Sequence, residues 1–501
     1  MTLLGEYLSV KEMITVERNS VGLGLRLQEL MECAGKSVAD QVMQRFKPDS
    51  KVIVVSGLSG NGGDGFVAAR HLASSGYDVE VLILGTPENI HHEDSKVNYQ
   101  ILEKMKSSIK ITEITDTSFI PELKSDVIID GLIGTSMYGS LRTPYKEMVV
   151  AINRTDAYTV SIDIPTGMIA DTGKVYGEAV KADLTVTFHK AKKGYRQKGD
   201  NVGELVVAPI GIPLEAELYT GPGDVWAAHK RRATDAHKGM FGTVLVIGGS
   251  ETYSGAPTLT SLGAYSMGVD LVYTAVPETA SQTIMTTSPS LITIKLKGER
   301  FSKAHIEVLE PFLEKVDAVA IGPGLGRHND TVDAFNEFFR TLQDHELPCV
   351  LDADGLKAYS EVKTKIKIPT IFTPHSREFR LLTGEEASGS FEDKGEIVER
   401  HAAKLGAVVL LKGKVDVISD GKLTRYNWTG NPGMTVGGTG DVLTGITAGF
   451  VAQGASLMEA ASAAAYINGT AGDWVYREKG YHILPEDLLD KIPYVIQDCL
   501  R

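Results

Sequence analysis

Along the chain, short runs of β-branched and other apolar residues alternate with longer stretches of helical periodicity. Apolar strand runs bounded by Gly, Pro or Asp are typical of parallel sheets that helices cover on both faces, so the pattern predicts an α/β fold. In the first half, helices are predicted at about 24–45, 64–75 and 92–107. The strands predicted there are 51–57, 79–85, 126–132, 158–165, 182–188 and 203–211.

This rhythm breaks between residues 213 and 234, where a proline, a Gly-Pro-Gly turn and mixed charge interrupt the alternation. We therefore predict a domain boundary near 213–222, with one domain at 1–215 and a second at 222–501. The second series continues with two buried helices between Asp441 and about Asn468, broken near Ser456. No motif repeats between the halves, which favours a fusion of two different domains. The strands predicted in the second half are 242–250, 270–277, 318–326, 348–355, 369–375, 407–413, 415–421 and 422–428.

Composition narrows the class of protein. The net charge of −13 over 501 residues disfavours a broad surface for nucleic acid or anionic lipid. Three scattered cysteines fit neither a disulfide framework nor a CxxC metal site. The first twenty residues lack the apolar core of a signal peptide, and no apolar run approaches the roughly 18 residues of a membrane span. We expect a soluble, cytoplasmic protein. Glycine is in excess, with 52 residues, so the positions of the glycines are informative.

The first glycine cluster, GLSGNGGDGF at 57–66, follows a predicted strand and opens a predicted helix. Gly60, Gly62 and Gly65 match GxGxxG, a turn that brings backbone N–H groups close to a phosphate. A plain strand-to-helix turn is the alternative, but such a turn does not require the polar Asn61 and Asp64. A dinucleotide oxidoreductase also needs an acidic residue about 20 positions further on, at the end of the next strand. That strand ends without one, which disfavours hydride transfer.

Acidic residues also end two later strands of the first half. Asp130 precedes the loop GLIGTSMYGSLRTP, and Asp163 precedes IPTG. Because the carboxyl ends of parallel strands line one crevice, we expect Asn61, Asp64, Asp130, Asp163 and Thr166 to converge. Several oxygen atoms together suit a hard cation, and a spare carboxylate suits proton transfer. Any one of these acids alone would be read as a helix cap or a turn former.

Four segments together resemble the N-terminal epimerase domain of the NAD(P)H-hydrate repair enzymes: LMECAG at 30–35, NGGDGF at 61–66, DGLIGT at 130–135 and SIDIPTGMIADTG at 161–173. The resemblance implies a Rossmann-like, three-layer domain that interconverts the R and S epimers of hydrated NAD(P)H, with a potassium ion near the substrate. It implies that Asn61, Asp130 and Thr166 hold the ion and that Asp163 contacts the hydrate as an acid/base; Thr166 stands where the family commonly has Ser. The other implied substrate-binding residues are Gly60, Asn61, Gly62, Gly63, Asp64, Gly134, Thr135, Ser136, Met137, Tyr138, Gly139 and Ser140.

The second glycine cluster, GNPGMTVGGTGDVLTG at 430–445, lies between a predicted strand and an apolar helix. The amides of Gly437 to Gly440 are expected to form an anion hole for a transferring phosphoryl group, and Asp441 to take a proton from a hydroxyl. A loose linker would not sit between two buried elements. No GxxxxGK[ST] motif occurs, so a P-loop enzyme is excluded.

GGTGD resembles the anion-hole motif of ribokinase-like enzymes, and its companions resemble the nucleotide-dependent NAD(P)H-hydrate dehydratases over nearly all of 222–501. These companions are AHKGMFGTVLVIGGS (236–250), YSGAP (253–257), AIGPGLG (320–326), LDADGL (351–356), TPHSRE (373–378) and VLLKG (409–413). The resemblance implies phosphorylation of the hydrate's hydroxyl by ADP or ATP, followed by loss of phosphate. By position, the implied substrate contacts are Ala256, Gly322, Gly324, His375 and Asp441, with Asp441 as catalytic base. The implied nucleotide contacts are Lys412, Gly413, Lys414, Val415, Asp416 and Gly440.

The two resemblances together imply a bifunctional enzyme that epimerises NADHX and NADPHX and dehydrates the S epimer, with K+ in the first domain and Mg2+ in the second. Glu378 is expected to help order Mg2+ through water, and Ser376-Arg377 replaces the family's usual Pro-Gly. We expect a homo-oligomer with small-molecule substrates and no nucleic-acid or membrane partner. Three questions stay open: whether the phosphoryl donor is ADP or ATP, whether NADHX or NADPHX is preferred, and whether the substrate passes between the domains. The alternatives are a ribokinase-like vitamin kinase and a noncatalytic N-terminal module.

Overall fold

The computed structural model describes residues 4–197 and 199–501 and divides into two compact units, 4–214 and 215–501. Each unit is built on its own sheet, which confirms the predicted α/β class. No helix within the described residues has the length and apolarity needed to cross a bilayer.

The N-terminal unit is a seven-stranded, all-parallel sheet with the order β4-β3-β2-β5-β6-β7-β9, and a short parallel pair, β1 and β8, lies outside it. Its central strands are buried along nearly their whole length, because helices cover the sheet. Its helices are α1 (Val10–Gly22), α2 (Leu27–Arg45), α3 (Gly60–Ser74), α4 (Glu93–Lys104) and α5 (Tyr145–Asn153). Its strands are β1 (Tyr7–Leu8), β2 (Lys51–Ser56), β3 (Asp78–Leu84), β4 (Ile109–Ile114), β5 (Val127–Gly131), β6 (Tyr158–Ile162), β7 (Leu184–Phe188), β8 (Ala191–Lys192) and β9 (Glu204–Ala208).

The C-terminal unit is a nine-stranded sheet with the order β12-β11-β10-β13-β14-β15-β16-β17-β18. It is parallel from β12 to β16, and its last two pairs are antiparallel. Its strands are β10 (Thr243–Ile247), β11 (Leu271–Pro277), β12 (Ile292–Leu296), β13 (Ala318–Ile321), β14 (Cys349–Leu351), β15 (Thr370–Phe372), β16 (Val408–Leu411), β17 (Asp416–Ser419) and β18 (Thr424–Asn427).

Helices α6 to α17 surround this second sheet, and two of them are the buried helices expected after the second glycine cluster. Ser456 caps the second of the two by accepting a hydrogen bond from the N–H of Glu459, so the predicted break is confirmed. The helices are α6 (Glu215–Leu218), α7 (Pro222–Ala228), α8 (Gly255–Ser266), α9 (Glu278–Thr287), α10 (Ile306–Leu313), α11 (Asn329–Asp344), α12 (Ala353–Val362), α13 (Ser376–Thr383), α14 (Phe391–Leu405), α15 (Thr439–Ala452), α16 (Leu457–Lys479) and α17 (Pro485–Leu500).

Candidate active sites

The N-terminal unit contains a cavity of about 280 Å³ at the carboxyl ends of its central strands. This is where ligands bind in open parallel sheets, because the loops after neighbouring strands face the same crevice. Its lining includes the start of α3, the loop after β5 and the turn after β6, together with residues of α1 and α2. The predicted site residues in the lining are Gly60, Asn61, Asp64, Gly134, Thr135, Ser136 and Asp163.

Asp163 is held in the cavity by a buried lysine that the sequence analysis missed. Its Oδ1 accepts hydrogen bonds from Lys192 Nζ at 2.5 Å and from Thr187 Oγ1 at 2.8 Å. The Tyr195 hydroxyl donates a hydrogen bond to the backbone carbonyl of Asp163. The Lys192 side chain is only 1% exposed. Asp163 therefore stands at the cavity wall with its carboxylate fixed by one charge and one hydroxyl.

Two further carboxyl groups line the same cavity. Glu17 comes from α1 and Asp64 from the N-terminal part of α3. Burial raises the pKa of Glu17 to about 7, opposed by Lys192 and reinforced by Asp163. Burial raises the pKa of Asp64 well above its usual value, and the charges of Asp163 and Glu17 add to the effect. Because three carboxyl groups surround one ammonium group, part of the set stays protonated at neutral pH and can donate protons.

The three predicted ion ligands lie at the base of this site. Asp130 is fully buried, and its carboxylate accepts hydrogen bonds from Thr166 Oγ1 at 2.7 Å, from Thr166 N at 2.9 Å and from Ser161 Oγ at 2.8 Å. Burial raises the pKa of Asp130, and the hydrogen bonds from Thr166 oppose that shift. Asn61 is buried next to Gly134, and its Nδ2 has no hydrogen-bond partner among the described atoms. Asn61 borders the cavity, while Asp130 and Thr166 lie behind the lining.

The remaining predicted substrate residues of this unit lie beside the cavity. Met137, Tyr138 and Ser140 line an adjoining groove of about 510 Å³, which shares Ser59 and Ser136 with the cavity. Gly139 lies in the same loop with a φ of +73°. Gly62 and Gly63 are buried in α3, where a Cβ would come within 2.1 Å of Gly57 O and 2.3 Å of Ser95 Oγ, respectively. These two glycines let α3 approach its neighbours closely.

The C-terminal unit contains a cavity of about 530 Å³ between the turn after β16 and the start of α15. Of the predicted nucleotide contacts, Val415 alone does not line it and instead packs against the apolar cluster around Phe379 and Tyr426. Trp428, Asn431 and Asn468 line it as well, and the sequence analysis did not select them. The predicted contacts in the lining are Lys412, Gly413, Lys414, Asp416 and Gly440.

The GGTGD loop leads directly into α15, and its shape requires glycine. Gly438 has a φ of +106°, and a Cβ there would lie 2.5 Å from Pro485 Cγ and 2.7 Å from Leu259 Cδ1. Lys412 Nζ lies 3.3 Å from the position of a Cβ on Gly440, so an ammonium group stands next to the loop. Backbone N–H groups at a helix start and a lysine are a suitable pairing for phosphoryl oxygens.

Asp441, in the first turn of α15, has the properties of a general base. Burial raises its pKa to about 7; the nearby Asp352 carboxylate raises it further, and Lys412 opposes the shift. A base with a pKa near neutral pH is half ionised there and accepts a proton readily.

The other predicted substrate contacts follow neighbouring strands. Gly322 and Gly324 have positive φ values of +127° and +66° in the loop after β13. A Cβ on Gly324 would lie 3.4 Å from that of Ala256, so this loop adjoins the start of α8. His375 pairs with Lys412 in an isolated parallel bridge at the ends of β15 and β16.

His375 also has a structural role, because it caps α13. Its Nδ1 accepts a hydrogen bond from Arg377 N at 3.1 Å, while Glu378 accepts one from His375 N at 3.1 Å. Ser376 and Arg377 form the first turn of the helix, and Glu378 is buried with Lys357 Nζ at 3.8 Å. Among the described residues, no three His, Cys, Asp or Glu side chains are grouped as a metal site.

Sequence comparisons agree with this division. Residues 27–194 match the family model described as YjeF-related protein N-terminus, and residues 244–494 match the model described as NAD(P)H-hydrate dehydratase. A bifunctional NAD(P)H-hydrate repair enzyme of Pyrobaculum aerophilum is 43% identical over 97% of both chains. A repair enzyme of the same name from Hyperthermus butylicus is 40% identical over 99% of this chain and 94% of its own. The structure of a ribokinase-like superfamily protein from Enterococcus faecalis aligns with a TM-score of 0.51 and 25% identity, over 56% of this chain and 96% of its own.

Fold and sites together define an enzyme of two α/β units, the second of them ribokinase-like. Each unit carries its own cavity at the carboxyl ends of parallel strands. The chain belongs to the family of bifunctional NAD(P)H-hydrate repair enzymes, which confirms the family resemblance seen in the sequence.

Proposed function

We propose that the N-terminal unit interconverts the R and S epimers of hydrated NAD(P)H and that the C-terminal unit dehydrates the S epimer at the expense of ADP or ATP. Family membership supports both activities. The observation that carries the second is Asp441, a carboxyl with a pKa of about 7 at the start of α15, directly after a glycine loop with Lys412 beside it.

In the dehydratase site, the carboxylate of Asp441 takes the proton of the hydrate's hydroxyl while that oxygen attacks the terminal phosphoryl group of the nucleotide. A phosphorus–oxygen bond forms to the substrate and the bond to the departing AMP or ADP breaks. The amides of 437–440 and the Lys412 ammonium stabilise the negative charge on the phosphoryl oxygens. Phosphate then leaves the carbon it was attached to, and the neighbouring carbon loses a proton, which restores the dihydronicotinamide double bond. Ala256, Gly322, Gly324 and His375 are proposed to hold the hydrate.

In the epimerase site, Asp163 is the proposed acid/base, and the loops at 60–64 and 134–140 hold the substrate. Inversion at the hydroxyl-bearing carbon requires protonation of the departing hydroxyl and deprotonation of the water that returns on the other face. The carboxyl groups of Glu17, Asp64 and Asp163 can supply and accept those protons, because burial and mutual repulsion keep part of the set protonated.

We assign potassium to Asn61, Asp130 and Thr166. The donor set fits, because amide, carboxylate and hydroxyl oxygens suit a hard cation and because, among the described residues, the buried Asp130 carboxylate is stabilised by hydrogen bonds without a paired cation. A bound ion would offset that negative charge. Glu378 fits magnesium only through water, since its carboxylate already accepts from His375 and lies near Lys357. When bound, the magnesium ion would neutralise negative charge on the nucleotide phosphates.

The test is dehydration of the purified S epimer by wild type and Asp441→Asn with Mg2+ and ADP or ATP. Wild type should regenerate NAD(P)H and release phosphate, and the variant should be slower by about 10²-fold or more. Equal rates would refute the role of Asp441, and a stable phosphorylated product would indicate a kinase instead. The urea unfolding midpoint followed by the tryptophan fluorescence of the C-terminal unit, which should match wild type, is the control for folding. The cytoplasmic location and the homo-oligomer stay predictions.

A further inference from the structure

Asp352, which directly follows β14, connects three parts of the dehydratase site. Its side chain is only 3% exposed. One carboxylate oxygen accepts a hydrogen bond from Lys412 Nζ at 2.9 Å, and the other accepts one from Thr444 Oγ1 at 2.9 Å. Lys412 comes from the end of β16, and Thr444 lies in α15, three residues after Asp441. A single buried carboxylate thus joins the lysine of the nucleotide cavity to the helix that carries the proposed base.

Two carboxylates compete here for one ammonium group. Lys412 Nζ lies close to Gly440, the residue before Asp441, so Asp441 is near enough to attract it. Asp352 has the advantage, because Lys412 and Thr444 occupy its two oxygens at hydrogen-bond distance and it is buried. Burial alone would lower the pKa of Lys412, but the charge and hydrogen bond of Asp352 raise it, so the ammonium stays protonated.

We propose that Asp352 is a positioning residue of the dehydratase: it holds Lys412 against the anion-hole loop and keeps it from pairing with Asp441, which leaves the Asp441 carboxylate free to take the substrate's proton. This inference rests on the proposed role of Asp441. Asp352 belongs to the LDADGL segment, to which the sequence analysis assigned no individual role.

The charges that act on Asp441 make the inference testable by pH. Asp352 and Lys412 are the charged groups that act electrostatically on Asp441, and Glu378 and His375 lie next to Lys412. Asp441 works as a base only when ionised, so the wild-type rate should rise with pH through a midpoint near its pKa of about 7. Removing the charge of Asp352 withdraws one repulsion and releases Lys412 towards Asp441. Both changes favour the ionised form and move the midpoint to lower pH.

The experiment is the pH profile of kcat for dehydration of the S epimer at saturating nucleotide, in wild type and Asp352→Asn. The midpoint of the acid limb should fall by about one pH unit or more in the variant. The rate on the plateau should fall by about tenfold, because Asp441 becomes a weaker base and Lys412 is displaced. Asp352→Glu, which keeps the charge, should have a midpoint close to the wild-type pH. An acid limb that stays at the wild-type pH in Asp352→Asn would overturn the proposal.

Asp224→Asn is the matched control. Asp224 forms a buried ion pair with Arg425 at 2.9 Å in the same unit, and neither residue lines the cavity. This variant should lower thermal stability while leaving the midpoint unchanged. If Asp352→Asn does not fold, Thr444→Val replaces it: loss of one hydrogen bond should reduce kcat several-fold without moving the midpoint, and an unchanged kcat would overturn the proposal. Wild type that does not dehydrate the S epimer would instead refute the proposed function itself.

Discussion

Replacing Asp163 by Asn should destabilise the N-terminal unit, because it removes the charged partner of a buried lysine. At hydrogen-bond distance Lys192 would retain only Thr187 Oγ1 at 3.1 Å and Phe188 O at 3.4 Å, which are neutral acceptors, while Glu17 and Asp64 act on it through space. Asn preserves the shape of Asp and tolerates the φ of +60° found at this position, so the change acts through the charge and not through backbone strain.

The magnitude follows from burial. Breaking a buried ion pair by removing one partner costs about 3–5 kcal/mol of unfolding free energy. The Asp163 side chain is 13% exposed towards the cavity and Lys192 only 1%, so solvent screens the pair slightly and we take the low end, about 3 kcal/mol. If the unfolding free energy falls by about 2 kcal/mol per M of urea, the urea concentration at the unfolding midpoint of this unit should decrease by about 1.5 M.

The sequence provides a readout for each unit. All three tryptophans, Trp226, Trp428 and Trp474, lie in the C-terminal unit. In Asp163→Asn, far-ultraviolet circular dichroism should therefore show an early loss of helix and strand in urea before tryptophan fluorescence changes. Dehydration of the S epimer should persist up to the second transition.

The double variant Asp163→Asn/Lys192→Met tests the electrostatic cause. With both charges removed, no ammonium is left buried without its carboxylate, so the double variant should be more stable than Asp163→Asn alone. The reasoning would be refuted if Asp163→Asn showed a single urea transition at the wild-type midpoint. It would also be refuted if the double variant lost as much free energy of unfolding as the two single variants together.

Three other outcomes are expected. Glu17→Gln removes a carboxyl that can donate a proton and should slow conversion of the R epimer by about tenfold or more, with dehydration of the S epimer unchanged; an unchanged R rate would exclude Glu17 from the reaction. Gly438→Ala places a methyl group against Pro485 at a positive φ and should cost about 10²-fold in dehydration, far more than Gly437→Ala, whose Cβ meets open space; similar losses would contradict a shaped anion hole. Replacing Na+ by K+ should speed epimerisation by wild type and not by Asn61→Ala, and equal responses would exclude Asn61 as a potassium ligand.

The fold was predictable where burial dominates the sequence pattern. β2 and β10 are continuous apolar runs, and the structure contains both within three residues of the predicted bounds. The edge strands β4 and β12 were missed, because their alternating and partly exposed residues give a weaker signal.

The residues that line the two cavities were predictable where glycine and acid follow a strand, and not where they come from a distant segment. Lys192 lies in a basic run typical of a solvated loop, yet it is buried in β8, which pairs with Leu8 of β1. Glu17 precedes the span of the matched family model and reaches the cavity from α1. Only the tertiary fold brings these two charges to Asp163.

The most direct test of the central claim is incubation of the purified chain with an equilibrium mixture of NADHX epimers, Mg2+, K+ and ADP or ATP. The account predicts that both epimers are converted completely to NADH, measured by dihydronicotinamide absorbance, with one phosphate released per NADH formed. Asp163→Asn should stop after the S fraction is consumed. Absence of NADH with either nucleotide, or complete conversion by Asp163→Asn at the wild-type rate, would contradict the account.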